Sequence, residues 1–198
     1  MKVVIATNNY HKVKEIKNFF KGYPIEIYSM IDLGIREEIS ETASTIEENA
    51  FIKAHFLKDK VDGIIIADDT GLFVEYLNGE PGVYSARFAG ENATYEENNE
   101  KLLKLLKGVP YEKRKAYFKT VIAVIDGEKE VLLEGVLEGH ILEYPKGKNG
   151  FGYDPIFYVD DIGKTLAELT LEEKNKISHR AQALGKLKNY LLERLEEK

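Results

Sequence analysis

Two long stretches of alternating apolar and polar residues limit the fold of this chain more than any other feature. Residues 115–125 and 130–144 keep a period of two, and Asp126–Gly127 joins them. That dipeptide, between runs rich in β-branched residues, is typical of a tight hairpin. We therefore expect two long antiparallel strands here.

Strand and helix patterns alternate along the rest of the chain. Short apolar runs predict buried strands at 2–6, 63–67 and 156–159. Apolar residues at helical spacing predict four helices, near 12–20, over about 45–60, near 95–107, and from Ser178 onward. The second and third of these helices each begin with a T-x-x-E capping box.

No linker, repeat or low-complexity tract divides the 198 residues, and 43% of them are hydrophobic. A chain of this length can bury a sizeable core. We interpret residues 1–198 as a single domain. Its fold class is α/β, with a mixed, largely antiparallel central sheet flanked by helices.

Charge and composition disfavour several kinds of partner. The chain has 28 basic and 34 acidic residues, a net charge of −6, and no cysteine. It therefore lacks the general cationic field that holds a nucleic-acid polymer, and it cannot form a thiolate zinc site. Its longest uncharged apolar runs are too short to cross a bilayer, and no signal peptide is evident. We expect a cytoplasmic protein that does not bind membranes.

The stretch TNNYHK at 7–12 leads from the first strand into the first helix. A helix N-terminus offers backbone N–H groups and the positive end of the helix dipole, which favour a phosphate. Thr7, Asn8 and Asn9 add donors, and Lys12 adds a positive charge. The same residues are also common helix caps, with Lys12 in solvent. The stretch lacks the P-loop pattern, so both interpretations stay open.

The second stretch, ADDTG at 67–71, follows a strongly apolar run. Adjacent residues at the end of a strand point to opposite sides, so one carboxylate can bind a metal or activate water while the other orients it. Asp68 and Asp69 either cap a turn before Gly71 or bind a divalent cation. Upstream glutamates at 38, 41, 47 and 48 favour magnesium.

Two further stretches, GFGYDP at 150–155 and KNKISHR at 174–180, combine features of ligand sites and of ordinary structure. In the first, glycines allow close backbone approach and two aromatic rings offer faces for a base, although tight turns have the same composition. In the second, cations stand at the start of the last helix, where the dipole disfavours them. A negatively charged or carbonyl-bearing ligand would account for them. Ser178 is better explained as an N-cap than as a nucleophile.

Together these stretches resemble the inosine triphosphate pyrophosphatase family, which acts on non-standard purine nucleotides. The resemblance spans nearly the whole chain and follows the family's motif order. It rests on T-x-N-x-x-K (Thr7, Asn9, Lys12), DD[ST]GL (Asp68–Leu72), PG-x-[YF]-SAR (Pro81–Arg87), GFGYDP (150–155) and SHR (Ser178–Arg180).

The resemblance implies a fold of two lobes with an active-site cleft and magnesium-dependent hydrolysis of a nucleoside triphosphate to a monophosphate and pyrophosphate. It implies Asp69 as the catalytic base, Glu41 and Asp69 as magnesium ligands, and Asp68 as a supporting acid. Expected contacts with the triphosphate are Thr7, Asn8, Asn9, Tyr10, His11 and Lys12, while Thr70 also contacts substrate. Expected contacts with base and sugar are Phe151, Gly152, Tyr153, Asp154 and Lys174, with His179 and Arg180 reading the purine.

A keto oxygen at the purine six-position would accept a hydrogen bond from Arg180, whereas the adenine amino group would not. Alternatives are a Maf-like enzyme acting on other nucleotides and a nucleotide-binding module without catalysis. Arg87 either reaches the active site or orders its loop. The family resemblance also implies a homodimer, for which the apolar loop at 71–90 is a candidate interface if it is not core.

Overall fold

The computed structural model describes residues 1–197. Residue contacts group them into two compact units. Unit 1 contains residues 1–69, 120–135 and 180–197, and unit 2 contains residues 70–119 and 136–179. The strands are β1 (Lys2–Ile5), β2 (Glu26–Ser29), β3 (Ile64–Val74), β4 (Pro81–Gly82), β5 (Lys115–Asp126), β6 (Lys129–Ile141), β7 (Phe157–Val159) and β8 (Lys164–Thr165). The helices are α1 (Tyr10–Phe19), α2 (Ile46–Lys58), α3 (Tyr95–Leu105), α4 (Leu171–Ile177) and α5 (His179–Glu196).

Unit 1 is built on the strand order β2–β1–β3–β5–β6. β1 pairs in parallel with β2 and β3, and α1 forms the crossover between β1 and β2 that a parallel pair requires. β5 and β6 form the predicted hairpin, with Gly127 at a φ of 61° in its two-residue turn. The core joins these strands to α1 and α5 through Val3, Ile5, Ile16, Ile66, Ile122, Val124, Leu184, Leu187 and Leu191.

Unit 2 uses the C-terminal part of β3 and continues the order β3–β5–β6–β7–β8, with β4 paired to β3. The β3–β4, β6–β7 and β7–β8 pairs are antiparallel. Its core lies between these strands and α3 and includes Leu72, Leu102, Leu106, Phe118, Ile156 and Phe157. The strands thus form an open mixed sheet with flanking helices, which confirms the predicted fold class.

In unit 2, a buried arginine links the C-terminal end of α3 to the C-terminal end of β6 through hydrogen bonds. Arg114 is 2% exposed, and its Nη1 donates to the carbonyl oxygen of Leu106 at 2.7 Å, just after α3. Its Nε donates to the carbonyl of Ile141 at 2.6 Å, and Nη2 to that of Leu142 at 2.7 Å. Because a helix end leaves carbonyls without intrahelical donors, a cation there is favourable.

The predicted elements are present, but the short strands β2, β4 and β8 were not predicted, and β3 and α4 also differ from the expectation. The strand expected to end at residue 67 instead continues through Asp68 and Asp69 to Val74, because buried cations compensate both carboxylates. The structure also contains α4, which was not among the predicted helices. Its start signal is another T-x-x-E pattern, in which Thr170 accepts a hydrogen bond from the backbone N–H of Glu173 at 3.1 Å. Seven residues are too few for a clear apolar period.

That residues 1–198 form a single domain stays a prediction, and so does the active-site cleft. Among residues 1–197, no helix combines the length and the hydrophobicity that a membrane span requires.

Candidate active site

Asn9 determines how β1 passes into α1. Its Oδ1 accepts hydrogen bonds from the backbone N–H groups of His11 at 3.0 Å and Lys12 at 3.3 Å. Thr7 Oγ1 in turn accepts from the backbone N–H of Asn9 at 3.1 Å. The capping interpretation of this stretch is therefore confirmed. Its contact with a triphosphate stays a prediction, as do those of the 68% exposed Tyr10 and of His11.

Lys12 does not lie in solvent, contrary to the simpler alternative. Its side chain is 14% exposed, and its Nζ is 3.3 Å from Oδ2 of Asp68. The same oxygen accepts a hydrogen bond from Nε of Arg180 at 3.2 Å. One buried carboxylate on β3 thus binds two cations, one from α1 and one from α5.

Arg180 also donates from Nη1 to Oε2 of Glu15 at 2.5 Å, and both side chains are almost fully buried. Glu15 and Asp68 therefore supply negative charge at the start of α5. The expected ligand is therefore not needed to balance the charge of Arg180. This second ion pair joins residues 165 positions apart in the chain.

Lys53 lies on the other side of the Asp68–Asp69 pair. Its Nζ is 3.3 Å from Oδ1 of Asp69 and 3.0 Å from Oε1 of Glu41, and it donates to the backbone carbonyl of Asp68 at 2.7 Å. Asp68 and Asp69 thus contact different cations, as expected for adjacent residues of a strand. Glu41 is thus an upstream glutamate that this lysine binds.

The two aspartates have opposite pKa shifts. Burial favours the neutral form of both. For Asp68, Lys12 and Arg180 overcome this effect and hold the pKa below its usual range. For Asp69, burial raises the pKa despite the nearby Lys53. Burial also lowers the pKa of Lys12, which favours its neutral form.

The residues present fit the magnesium ion that the sequence analysis predicts. No three histidine, aspartate or glutamate side chains within residues 1–197 form a complete metal cage. Magnesium, however, is usually bound by one or two carboxylates, with waters and substrate phosphates completing its shell. Glu41 and Asp69 already direct carboxylate oxygens at one cation, the ammonium of Lys53.

The predicted base-binding residues of unit 2 surround a second buried ion pair. Nζ of Lys174 is 2.7 Å from Oδ2 of Asp154, and it lies 4.8 Å from the ring centre of Phe151. The same carboxylate oxygen accepts from the backbone N–H of Phe151 at 3.0 Å. Gly150, at a φ of 72°, allows this arrangement, because a Cβ there would overlap the Asp154 carboxylate. Lys174 belongs to α4 and not to the last helix, which corrects its predicted position.

Tyr153 lies in the core of unit 2 and is 6% exposed. Its hydroxyl donates to the carbonyl of Ser85 at 2.6 Å, and burial raises its pKa. Asn99 of α3 donates from Nδ2 to the carbonyl of Gly152 at 3.1 Å. Tyr153 and Gly152 thus fix the shape of the GFGYDP turn, and their expected contact with a base stays a prediction.

His179 and Arg180 are neighbours in sequence, but their side chains have different surroundings. The ring of His179 is buried and stacks on Phe118 at 4.5 Å between ring centres. Ser178, between α4 and α5, has the extended backbone of an N-cap residue. Thr70 lies in β3 and is partly buried. Arg87 lies 5.1 Å from the ring centre of Tyr84, so it contributes to its own loop.

Two buried charged residues, Glu15 and Lys53, were not among the predicted site residues. Each interrupts the buried face of a helix, between Val13 and Ile16 in α1 and before Ala54 in α2. A charge at a buried helical position needs a partner. That rule would have singled out both residues.

The fold and the charged cluster define a class: an α/β protein in which buried lysine, arginine and carboxylate side chains alternate around one strand. Residues 3–190 match the sequence profile of the Ham1 family, and the chain belongs to that family.

Similar proteins support this assignment over the full length. The dITP/XTP pyrophosphatase of Thermoanaerobacter sp. (strain X514) is 80% identical over 198 residues, which is all of both chains. That of Bacillus subtilis (strain 168) is 51% identical over 95% of this chain and 96% of its own. The structure of a HAM1 protein from Coxiella burnetii is 41% identical, with a TM-score of 0.88 over 98% of this chain and 99% of that one.

Proposed function

We propose that this protein is a magnesium-dependent hydrolase that converts dITP, ITP and XTP to the monophosphate and pyrophosphate. The observation that carries the proposal is the buried cluster around Asp68 and Asp69, in a member of a family whose similar curated proteins are dITP/XTP pyrophosphatases. Such an enzyme removes deaminated purines from the nucleotide pool.

Cations of unit 1 offset the charge of the substrate. A triphosphate carries about four negative charges, and positioning together with electrostatic stabilisation dominates catalysis of phosphoryl transfer. Lys12 lies in the first turn of α1, with its ammonium 3.3 Å from Asp68, and Thr7 to His11 directly precede it in sequence. We assign the triphosphate contacts to this stretch.

Asp69 accepts a proton from the attacking water. In the protein without metal, burial raises its pKa, and Lys53 at 3.3 Å favours its ionised, proton-accepting form. Bound magnesium, held by Glu41 and Asp69, would neutralise phosphate charge. Asp68 stays ionised and holds Lys12 and Arg180 in place.

We assign the base and sugar to residues of unit 2. Phe151 has a partly exposed ring next to the Lys174–Asp154 pair. We also assign substrate contacts to Thr70 and His179. Arg180 remains the proposed donor to the six-keto oxygen, in addition to its bonds with Glu15 and Asp68. A cytoplasmic location and a homodimer complete the proposal.

The proposal is tested by measuring pyrophosphate release from ITP, XTP, dITP, ATP, GTP and CTP, with and without magnesium. We expect release from the first three, dependence on magnesium, and a loss of at least about 100-fold in Asp69→Asn, the scale of a lost general base. Binding of ITP without release would instead indicate a nucleotide sensor. Preference for CTP would indicate the Maf-like alternative and contradict the assignment of Arg180.

A further inference from the structure

Two helices of this chain begin with the same five-residue pattern, T-x-E-E-N. In α2 it covers Thr45–Asn49, and in α3 it covers Thr94–Asn98. In both, the threonine Oγ1 accepts from the backbone N–H of the second glutamate, at 3.2 Å from Glu48 and 3.1 Å from Glu97. In both, the asparagine that follows is buried, with exposures of 0% and 3%.

The two asparagines each bind the backbone of the loop that precedes their helix. Oδ1 of Asn49 accepts from the backbone N–H of Ala43 at 3.0 Å, and Oδ1 of Asn98 accepts from that of Ala89 at 2.8 Å. Each therefore holds the loop that precedes its helix against the first helical turn. A loop held in this way has a defined position without secondary structure of its own.

The loop held by Asn49 carries Glu41. Residues 35–45 form no strand or helix, so their position depends on such contacts. Lys53 lies four residues after Asn49, on the same face of α2, and binds Oε1 of Glu41 at 3.0 Å. α2 thus holds this loop at two points: the side chain of residue 41 and the backbone of residue 43.

The two asparagines differ at their other atom. Nδ2 of Asn98 donates to the carbonyl of Ala86 at 3.1 Å. Nδ2 of Asn49 is buried and has no acceptor within residues 1–197. An unmet buried donor costs about 1–3 kcal/mol, so within residues 1–197 the favourable contact of the Asn49 side chain is the one that its Oδ1 makes with the loop.

We propose that Asn49 is a positioning residue for metal binding: its contact with the backbone of Ala43 fixes the loop that carries Glu41 and so holds the Glu41 carboxylate where the ion binds. This inference rests on the proposed function, in which Glu41 is a magnesium ligand. Asn98 holds a loop without a proposed metal ligand, and so it provides a matched control.

The test compares the full-length protein with Asn49→Ala, Asn49→Asp and Asn98→Ala. Mn²⁺ binding without nucleotide is measured by electron paramagnetic resonance, and the half-activating magnesium concentration is measured with dITP. Loss of a group that orients a metal ligand typically weakens metal affinity by about 10-fold or more. We expect that loss in Asn49→Ala, with kcat recovering at high magnesium. Asn49→Asp keeps an acceptor for Ala43 and should bind Mn²⁺ more tightly than Asn49→Ala.

Asn98→Ala should lower thermal stability at least as much as Asn49→Ala, because it removes two hydrogen bonds instead of one, and it should leave Mn²⁺ binding unchanged. Mn²⁺ binding as tight in Asn49→Ala as in the native protein would overturn the inference. Equal weakening of Mn²⁺ binding in Asn49→Ala and Asn98→Ala would also overturn it. If Asn49→Ala does not fold, Asn49→Leu replaces it, because leucine fills a similar volume without an acceptor. Mn²⁺ binding by native protein that releases no pyrophosphate would contradict the proposed function and still report on Asn49.

Discussion

Neutralising Asp68 should destabilise the protein more than any surface substitution. Its side chain is 1% exposed, and its Oδ2 lies 3.3 Å from Nζ of Lys12 and 3.2 Å from Nε of Arg180. Asp68→Asn preserves the shape but removes the charge that compensates these two cations. Arg180 retains Glu15, whereas Lys12 loses its ion pair with Asp68.

The expected loss follows from the cost of leaving a buried charge without its partner, which is about 3–5 kcal/mol. For a chain of 198 residues, each kcal/mol lowers the melting temperature by about 2–4 °C, so the variant should melt on the order of 10 °C lower. Urea unfolding followed by circular dichroism gives the free energy of unfolding directly.

The same loss should depend on pH in one direction. Lys12 and Arg180 overcome the effect of burial and lower the folded pKa of Asp68 below its unfolded value of about 3.9. The stabilisation is therefore fully present above about pH 4 and is lost as the pH falls through the folded pKa. The difference between native protein and Asp68→Asn should be constant near neutral pH and shrink in acid.

Glu128→Gln is the control, because Glu128 is 96% exposed and its pair with Lys58 spans 3.7 Å. Exposed pairs of this kind contribute almost nothing, so the control should unfold at the same urea concentration as native protein. If Asp68→Asn lost less than about 1 kcal/mol, Lys12 and Arg180 would not depend on Asp68 and the reasoning would be refuted.

Three further substitutions test other buried contacts by the same measurement. Arg114→Met should cost at least about 3 kcal/mol, because several buried carbonyls lose their donor; a smaller cost would mean that water replaces the guanidinium. Tyr153→Phe should cost about 1–2 kcal/mol through the unpaired carbonyl of Ser85, and an unchanged midpoint would contradict the hydrogen bond. Asp126→Asn should lower the melting temperature at pH 7, and the difference should shrink only as the pH falls from about 4 through the folded pKa of Asp126, which the hydrogen bond from Arg194 lowers; a pH-independent effect would exclude that ion pair as its cause.

Local signals in the sequence predict much of this fold. The Asp126–Gly127 hairpin and the T-x-x-E helix starts depend on residues a few positions apart, and the structure confirms them. The C-terminal end of β3 was mispredicted because two adjacent carboxylates normally end a buried strand. They continue it here because Lys12 and Lys53 approach from separate helices.

Long-range partners are what the sequence does not reveal. Nothing near Glu15 or Arg180 in sequence indicates that these residues form a pair 165 positions apart. The rule that a buried charge needs a partner would have identified Glu15 and Lys53 as site residues without naming their partners.

The opposite pKa shifts of the two neighbouring aspartates give physical support for the roles that we propose for them. Where two acids of one site have pKa values shifted apart, the environment assigns one to proton transfer and the other to permanent charge. Asp68, with Lys12 and Arg180 on one oxygen, stays ionised and cannot serve as a base near neutral pH. Asp69, whose pKa burial raises, is the one to which the proposed function assigns the proton of the attacking water. Adjacent positions in one strand produce this difference because they place the two side chains among different cations.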